Sequence, residues 1–142
     1  MSTLEKAIEI AARAHAGQMD KGGNPYILHP LRLMLSQSDP AARIAAVLHD
    51  VVEDTPVTLD DLRQAGFAAD VLTAVDALTK RAGEGRLSAA RRAAANPIAR
   101  LVKLADVADN MDLRRISDPT ERDFARLKEY EQVRALLLAA AP

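Results

Sequence analysis

The sequence predicts an all-α fold, a single-domain helical bundle of about eight helices. Three observations carry that prediction. Apolar residues recur at spacings of three and four through nearly every segment, and no stretch alternates as a strand would. Alanine, the strongest helix former and small enough to let helices approach closely, fills 28 of the 142 positions. Residues that favour strands are scarce among the aromatics, with two Tyr, two Phe and no Trp.

The first helix is expected to start at Ser2 or Thr3, where Ser2-x-x-Glu5 has the form of a capping box. Leu4, Ala7, Ile8, Ala11, Ala12 and His15 make its buried stripe, and Gly17 stops it. Residues 17–28, GQMDKGGNPYIL, cannot continue a helix and read as a turn-rich loop suited to an active site. A short helix near His29-Pro30 carries Leu31, Leu33, Met34 and Leu35. Asp39-Pro40 opens the most buried-looking helix, AARIAAVLHDVVEDT, which Pro56 ends. Thr58 to Asp61 caps a short helix that stops at Gly66, and Phe67 to about Lys80 forms the next. After the loop RAGEGR, an Ala- and Arg-rich helix runs to about Ala95. Asn96-Pro97 starts a helix that continues to Ile116, and Asp118-Pro119 starts the last, running to about Ala140. Leu127, Tyr130, Val133, Leu136 and Leu137 give that helix an apolar face to cover the core or form a dimer face, covering the core being the expected use.

Composition excludes several function classes. The 19 Lys and Arg nearly balance 20 Asp and Glu, so nothing points to nucleic acid or an anionic membrane as partner. The absence of cysteine removes disulfides, thiolate metal sites and thiol nucleophiles, and is compatible with a cytoplasmic location. No apolar run reaches the ~18 residues of a membrane span, and the N-terminal residues lack a signal-peptide pattern. Oligomeric state is left open.

His15 reads as a buried core residue near a helix C-terminus, able to bond free carbonyls. His49-Asp50 differs, because Ala45, Ala46, Val47, Leu48, Val51 and Val52 flank it. Glu53 and Asp54 follow, crowding three carboxylates and an imidazole into about one helical turn. A solvated helix end accounts for Glu53 and Asp54 but poorly for His49 and Asp50. A divalent cation would supply the missing positive charge. His29 and Asp106 are candidates for further ligands, with Asn110 one turn after Asp106.

Four motifs occur in order: HAGQ at 15–18, DKGGNPYILHP at 20–30, AAVLHDVVEDT at 45–55 and VKLADVADN at 102–110. Over about residues 3–116 the chain resembles the HD-domain hydrolases of the RelA/SpoT type, most closely the small stand-alone form acting on (p)ppGpp, guanosine 3′,5′-bis(diphosphate) and its triphosphate counterpart. The resemblance implies metal ligands at His29, His49, Asp50 and Asp106, with Glu53 and Asp54 as the catalytic acid/base pair. It implies Mn²⁺ as cofactor, with Fe²⁺, Zn²⁺ or Mg²⁺ as alternatives; two imidazoles and two carboxylates suit such ions. A closed zinc site that only holds helices together would leave Glu53 and Asp54 without a task. The implied reaction is hydrolysis of the 3′-pyrophosphate, yielding GDP or GTP and pyrophosphate. Lys21, Asn110 and Arg114 would bind substrate, Tyr26 would pack beside the site, and Lys103 and His15 would support it. A chain of this length would hold the hydrolase domain over 1–142 without a synthetase domain.

The chain also departs from the family pattern. Asp20 and Asp112 stand where arginines are common in the family, and for Asp112 Arg114 or Arg115, one turn on, is a replacement. GEGRLSAARR offers no tyrosine for the nucleotide, leaving Arg86, Arg91 and Arg92 as the polar residues there. Acids in place of bases should weaken binding of a highly phosphorylated nucleotide. Three readings follow: a (p)ppGpp 3′-pyrophosphohydrolase, an HD phosphohydrolase with a different or broader nucleotide substrate, and a non-catalytic nucleotide-binding or interaction module.

Overall fold

A computed structural model of the chain describes residues 1–140. In chain order its helices are α1 (Leu4–Ala14), α2 (Leu28–Leu35), α3 (Pro40–Leu48), α4 (Val51–Asp54), α5 (Leu59–Gln64), α6 (Ala69–Leu78), α7 (Arg86–Ala94), α8 (Pro97–Asn110) and α9 (Glu121–Ala139). A 3₁₀ turn, Leu113–Arg115, follows α8. The fold is all-helical, as the periodicity predicts. The last two residues of the terminal apolar run, 141 and 142, lie outside the described residues.

Helix α3 is the axis of the bundle. The Asp39 side chain accepts the Ala42 N–H at 2.9 Å, and Pro40 occupies the first turn, where a missing N–H has no helical partner to lose. Ala42, Ala45, Ala46, Val47 and Leu48 are all buried. Arg43 is its one charged residue and is exposed; the rest of the helix is apolar and must be covered, and α1, α2, α6 and α8 pack against it. Alanine at Ala7 and Ala11 on α1, Ala74 on α6 and Ala99 on α8, each without exposure, lets these helices approach closely. A second small core joins Ala90, Val107, Val133 and Leu137 from α7, α8 and α9, so the last helix covers core as expected.

Several predicted boundaries move. The helix expected through Thr55 stops at Leu48, and α4 is a separate turn. In a continuous helix the Ala46 carbonyl would receive the Asp50 N–H; here the His49 ring Nδ1 takes it at 2.7 Å and the His49 N–H reaches it at 3.4 Å. Asp50 then adopts φ −103° and ψ −1°, and α4 restarts with the Asp54 N–H on the Asp50 carbonyl at 2.9 Å. The box expected at Ser2 does not form. Thr3 is the N-cap, while Ser2 bonds the Ala65 and Gly66 carbonyls. Thr120 and Asp123, rather than Asp118-Pro119, cap α9 through a reciprocal box. Helix α8 ends at Asn110, so the segment to Ile116 is not one helix.

The loop between α1 and α2 is folded on itself. The Asp20 carboxylate accepts the Asn24 N–H at 2.9 Å, and Gly23 adopts φ +81°, a left-handed conformation that glycine tolerates. Gly22 lies directly against the backbone of the 3₁₀ turn: a Cβ there would collide with the Arg115 carbonyl oxygen. Backbone cannot swing away as a side chain can. Gly22→Ala should therefore destabilise the fold by about 1–3 kcal/mol, read as a lowered midpoint in urea or heat; an unchanged midpoint would show that this loop does not press on the 3₁₀ turn.

Candidate metal centre and adjoining cavities

Four side chains from three parts of the bundle meet beneath the Tyr26 ring. Helix α2 supplies His29, the α3–α4 break supplies His49 and Asp50, and α8 supplies Asp106. His29 Nε2 is 3.0 Å from Asp106 Oδ1 and 3.9 Å from Asp50 Oδ2; His49 Nε2 is 2.9 Å from Asp50 Oδ2 and 3.7 Å from Asp106 Oδ1. Oxygen and nitrogen ligands about 2.1 Å from an octahedral ion lie roughly 3 Å apart when adjacent and about 4.2 Å when opposite. These four His–Asp separations fit that spacing, and the donor atoms of His29, His49 and Asp106 all lie within 4.8 Å of one another. His49 Nε2 is buried and has no hydrogen bond of acceptable geometry, an orphan that a cation would satisfy. These residues can therefore hold a divalent ion, and a neutral imidazole pair with two carboxylates does not single out one metal.

Outer contacts aim the ligands. The Ala46 carbonyl can only accept, so His49 Nδ1 carries hydrogen and Nε2 faces inward. His29 Nδ1 donates to Asp109 Oδ2 at 2.6 Å with the same effect. Tyr26 donates its hydroxyl to Asp50, while Lys103 Nζ and Asn110 Nδ2 reach Asp106 at 2.9 and 3.1 Å. Burial opposes the charged form of both imidazoles, yet His29 and His49 are held above their ordinary value by Asp106, Asp109 and Asp50. Burial likewise opposes the Asp106 carboxylate, but Lys103 and the two histidines hold it well below the usual range. Protons and a metal ion compete for the same pairs, so metal affinity should fall with pH.

Glu53 and Asp54 stand beside the cluster on α4, both exposed, with oxygens within 4.8 Å of Asp50 and of each other. Partial desolvation beside the cluster, then the charges of Asp50 and Glu53, push Asp54 up to about 6. Glu53 Oε1 accepts the Lys80 N–H at 2.7 Å. Gln18 donates to the Asp54 carbonyl at 3.2 Å and accepts His15 Nδ1 at 2.8 Å. His15 is buried as expected, but its ring bonds the Gln18 side chain instead of a helix-end carbonyl.

Two connected cavities open from the cluster. One, about 260 Å³, is lined by the six residues just described with Lys80, Arg86, Lys103, Asn110 and Tyr130. The other, about 300 Å³, lies between the α1–α2 loop, the 3₁₀ turn and α9. Tyr26, His29, Asn110 and Tyr130 line both. Lys21 lines the larger cavity and pairs with Asp123 at 3.3 Å. Arg114 does not line either; its side chain is 90 % exposed and forks onto Asp112. The 3₁₀ geometry turns Arg115 inward in its place. Among the three arginines noted near the tyrosine-free segment, only Arg86 lines a cavity, over the Tyr130 ring at 4.9 Å.

Sequence reasoning missed Asp109, Arg32, Arg126 and Tyr130 as cavity residues. Asp109 is three residues after Asp106 on the same helix, a spacing that could have flagged it. The Asp109 carboxylate accepts Arg32 Nε at 2.8 Å and Nη2 at 3.0 Å, and Arg115 donates to its backbone carbonyl at 2.7 Å. Arg126 and Tyr130 sit on α9, which showed only an apolar stripe.

A helical bundle with adjacent His and Asp at a helix break, closed by a distant His and Asp, defines a class of metal-binding helical domain. Residues 7–142 match the HD domain family, and the chain belongs to it. The relatives are of the RelA/SpoT type. A GTP pyrophosphokinase of Streptomyces coelicolor is 37% identical over 98% of this chain and 17% of its own length. A guanosine-3′,5′-bis(diphosphate) 3′-pyrophosphohydrolase of Borreliella burgdorferi is 42% identical over 55% of the chain and 12% of its own length. The chain thus spans less than a fifth of these curated relatives. A solved metazoan ortholog of SpoT, described as hydrolysing ppGpp with a role in starvation responses, superposes with a TM-score of 0.76. It is 25% identical, over 99% of this chain and 85% of that one.

The purified chain should bind about one Mn²⁺ per molecule, and Asp106→Ala should abolish that binding in calorimetry. Asp109→Ala should weaken it by about 10- to 100-fold through loss of His29 orientation alone. A wild-type chain that stays metal-free in excess Mn²⁺ would overturn the assignment.

Proposed function

We propose that this chain is a metal-dependent HD phosphohydrolase that removes the 3′-pyrophosphate of ppGpp or pppGpp. The observation that supports it most is one of placement. A two-His, two-Asp cluster, buried except for the partly exposed Asp50, abuts two solvent-reachable carboxylates, and both face a cavity large enough for part of a nucleotide. The relatives named for ppGpp hydrolysis point the same way.

In this proposal His29, His49, Asp50 and Asp106 hold the ion, which when bound supplies Lewis acidity toward a water and the phosphoryl oxygens. Glu53 and Asp54 handle protons. One takes a proton from the attacking water, and the other, near neutrality by virtue of its raised pKa, returns one to the leaving oxygen. The phosphorus–oxygen bond to the ribose 3′-oxygen breaks, leaving GDP or GTP and pyrophosphate. Lys21, Arg32, Arg115 and Arg126 are the cations placed to meet phosphate, and Asn110 and Tyr130 lie where the two cavities join. Arg126, unlike the other three, has no carboxylate partner among the described residues. Arg114, expected to bind substrate, is replaced in this role by Arg115.

A second reading has its own support. The four cations of the larger cavity face four carboxylates, Asp20, Asp109, Asp112 and Asp123. An uncharged balance suits a nucleotide with fewer phosphates as well as it suits ppGpp. A Mn²⁺-dependent assay on ppGpp, pppGpp and a panel of other nucleotides, with products identified, separates the two. Pyrophosphate and GDP from ppGpp are expected; cleavage only of other nucleotides would favour the second reading, and no cleavage of any would overturn both.

Glu53→Gln should keep the metal and lower kcat by about 10²- to 10⁴-fold. Unchanged turnover would remove Glu53 from proton transfer. Arg126→Ala should raise KM about tenfold with kcat nearly constant, as expected for a group that binds substrate and transition state alike; an unaltered KM would place the phosphates elsewhere.

A further inference from the structure

Arg92 on α7 stands outside both cavities, yet its guanidinium is committed to five contacts. Nη1 reaches the carbonyls of Asp76 and Ala77 at 3.2 and 2.9 Å; Nη2 reaches Thr79 O at 2.8 Å and Glu84 Oε1 at 2.7 Å; Nε reaches Glu84 Oε2 at 3.1 Å. All three carbonyls lie at the C-terminal end of α6, where a helix leaves carbonyls short of partners; that of Asp76 also accepts the Thr79 N–H at 3.2 Å. A single planar fork satisfies them and pins the 79–84 loop through Glu84, a geometry an ammonium cannot copy.

The consequence lies on the far side of one peptide bond. Thr79 C=O and Lys80 N–H belong to the same rigid plane. Arg92 grips its oxygen, and its N–H donates to Glu53 Oε1 at 2.7 Å. Fixing the carbonyl direction fixes the N–H direction. Arg81 also touches Thr79 O, at 3.0 Å, but from a side chain 46% exposed against 28% for Arg92. Glu53 itself is an exposed side chain on a one-turn helix, with little packing to hold its rotamer. With Oε1 held by backbone, Oε2 is the oxygen left for the cavity.

We propose that Arg92 is a positioning residue for Glu53, acting through the Thr79–Lys80 peptide; its catalytic consequence rests on the proton-transfer role proposed for Glu53. It touches neither substrate nor metal ligand. Its effect is to keep one carboxylate oxygen of Glu53 in register with the cluster, where small displacements are costly to rate.

The test uses the full chain loaded with Mn²⁺ and the variant Arg92→Lys, which keeps charge and stem but loses the fork. By NMR hydrogen exchange, the Lys80 amide should exchange about tenfold faster while Val47 in α3 stays unchanged. With ppGpp, or whichever nucleotide the panel shows to be cleaved, kcat should fall about tenfold, with KM within about twofold and Mn²⁺ affinity unaltered. In a Glu53→Gln background, Arg92→Lys should cost no further turnover, because the group being positioned no longer transfers a proton. Equal losses in both backgrounds, or unchanged exchange at Lys80, would overturn the proposal. If the wild-type chain cleaves nothing, the reading of function fails, and Lys80 exchange still decides whether Arg92 sets this peptide.

Discussion

The bond from the His49 ring to the Ala46 carbonyl has two effects that the site cannot do without. It takes the acceptor that would have continued α3, so the helix ends where its two most polar residues begin. It also places hydrogen on Nδ1 and directs Nε2 into the cluster. The turn that follows swings Asp50 beside His49 and starts α4, whose single turn carries Glu53 and Asp54. Were α3 continuous, the Ala46 carbonyl would take the Asp50 N–H, and the His49 ring would lose the bond that directs Nε2 inward.

Placing such a break inside a bundle has an energetic consequence. His29, His49 and Asp106 are each less than one-tenth exposed, and charges so deep are costly unless paired. Opposite charges surround each of them, and of these groups only His49 Nε2 is left without a hydrogen bond. Asp106 meets both histidines, Lys103 and Asn110; His29 is bracketed by Asp106 and Asp109. Asp109 extends the network outward to Arg32 and Arg115, both of which line the larger cavity. The orientation of a candidate metal ligand and of the cavity cations therefore depends on one carboxylate. The surrounding alanines contribute by keeping α1, α2, α6 and α8 close to α3, which leaves little freedom for the network to relax.

How much of this was legible in the sequence varies with the range of the interaction. Helices capped by adjacent residues, such as α3 behind Asp39-Pro40 and α8 behind Asn96-Pro97, were read directly because the signal is local. His49, Asp50 and Asp106 are conspicuous in the sequence as polar groups in apolar runs, whereas His29, Glu53 and Asp54 stand out chiefly through the resemblance to the HD hydrolases. What escaped depended on contacts over distance. Ser2 left its expected capping box to bond the chain near Gly66. The α3 break needed a side chain to compete for a backbone carbonyl, which periodicity does not reveal. Choosing between Arg114 and Arg115 required knowing that the chain enters a 3₁₀ turn after α8, and this geometry exposes the first and buries part of the second. Arg126 and Tyr130 were hidden by their own helix, whose periodic face accounts for Tyr130 equally well as core.

The acids at Asp20 and Asp112 acquire a different meaning in three dimensions. As sequence they are negative charges replacing positive ones. In the fold, Asp20 ties the α1–α2 loop through the Asn24 N–H, and Asp112 caps the 3₁₀ turn while holding Arg114 and Arg115. Their charge is spent on loop geometry before any ligand arrives. An anion entering the larger cavity must then compete with Asp109 and Asp112 for guanidiniums already oriented. Net attraction is reduced, and discrimination shifts toward how well the ligand's geometry matches those fixed donors. Arg126, held by no acid among the described residues, remains the cation able to move onto a ligand without first breaking a pair.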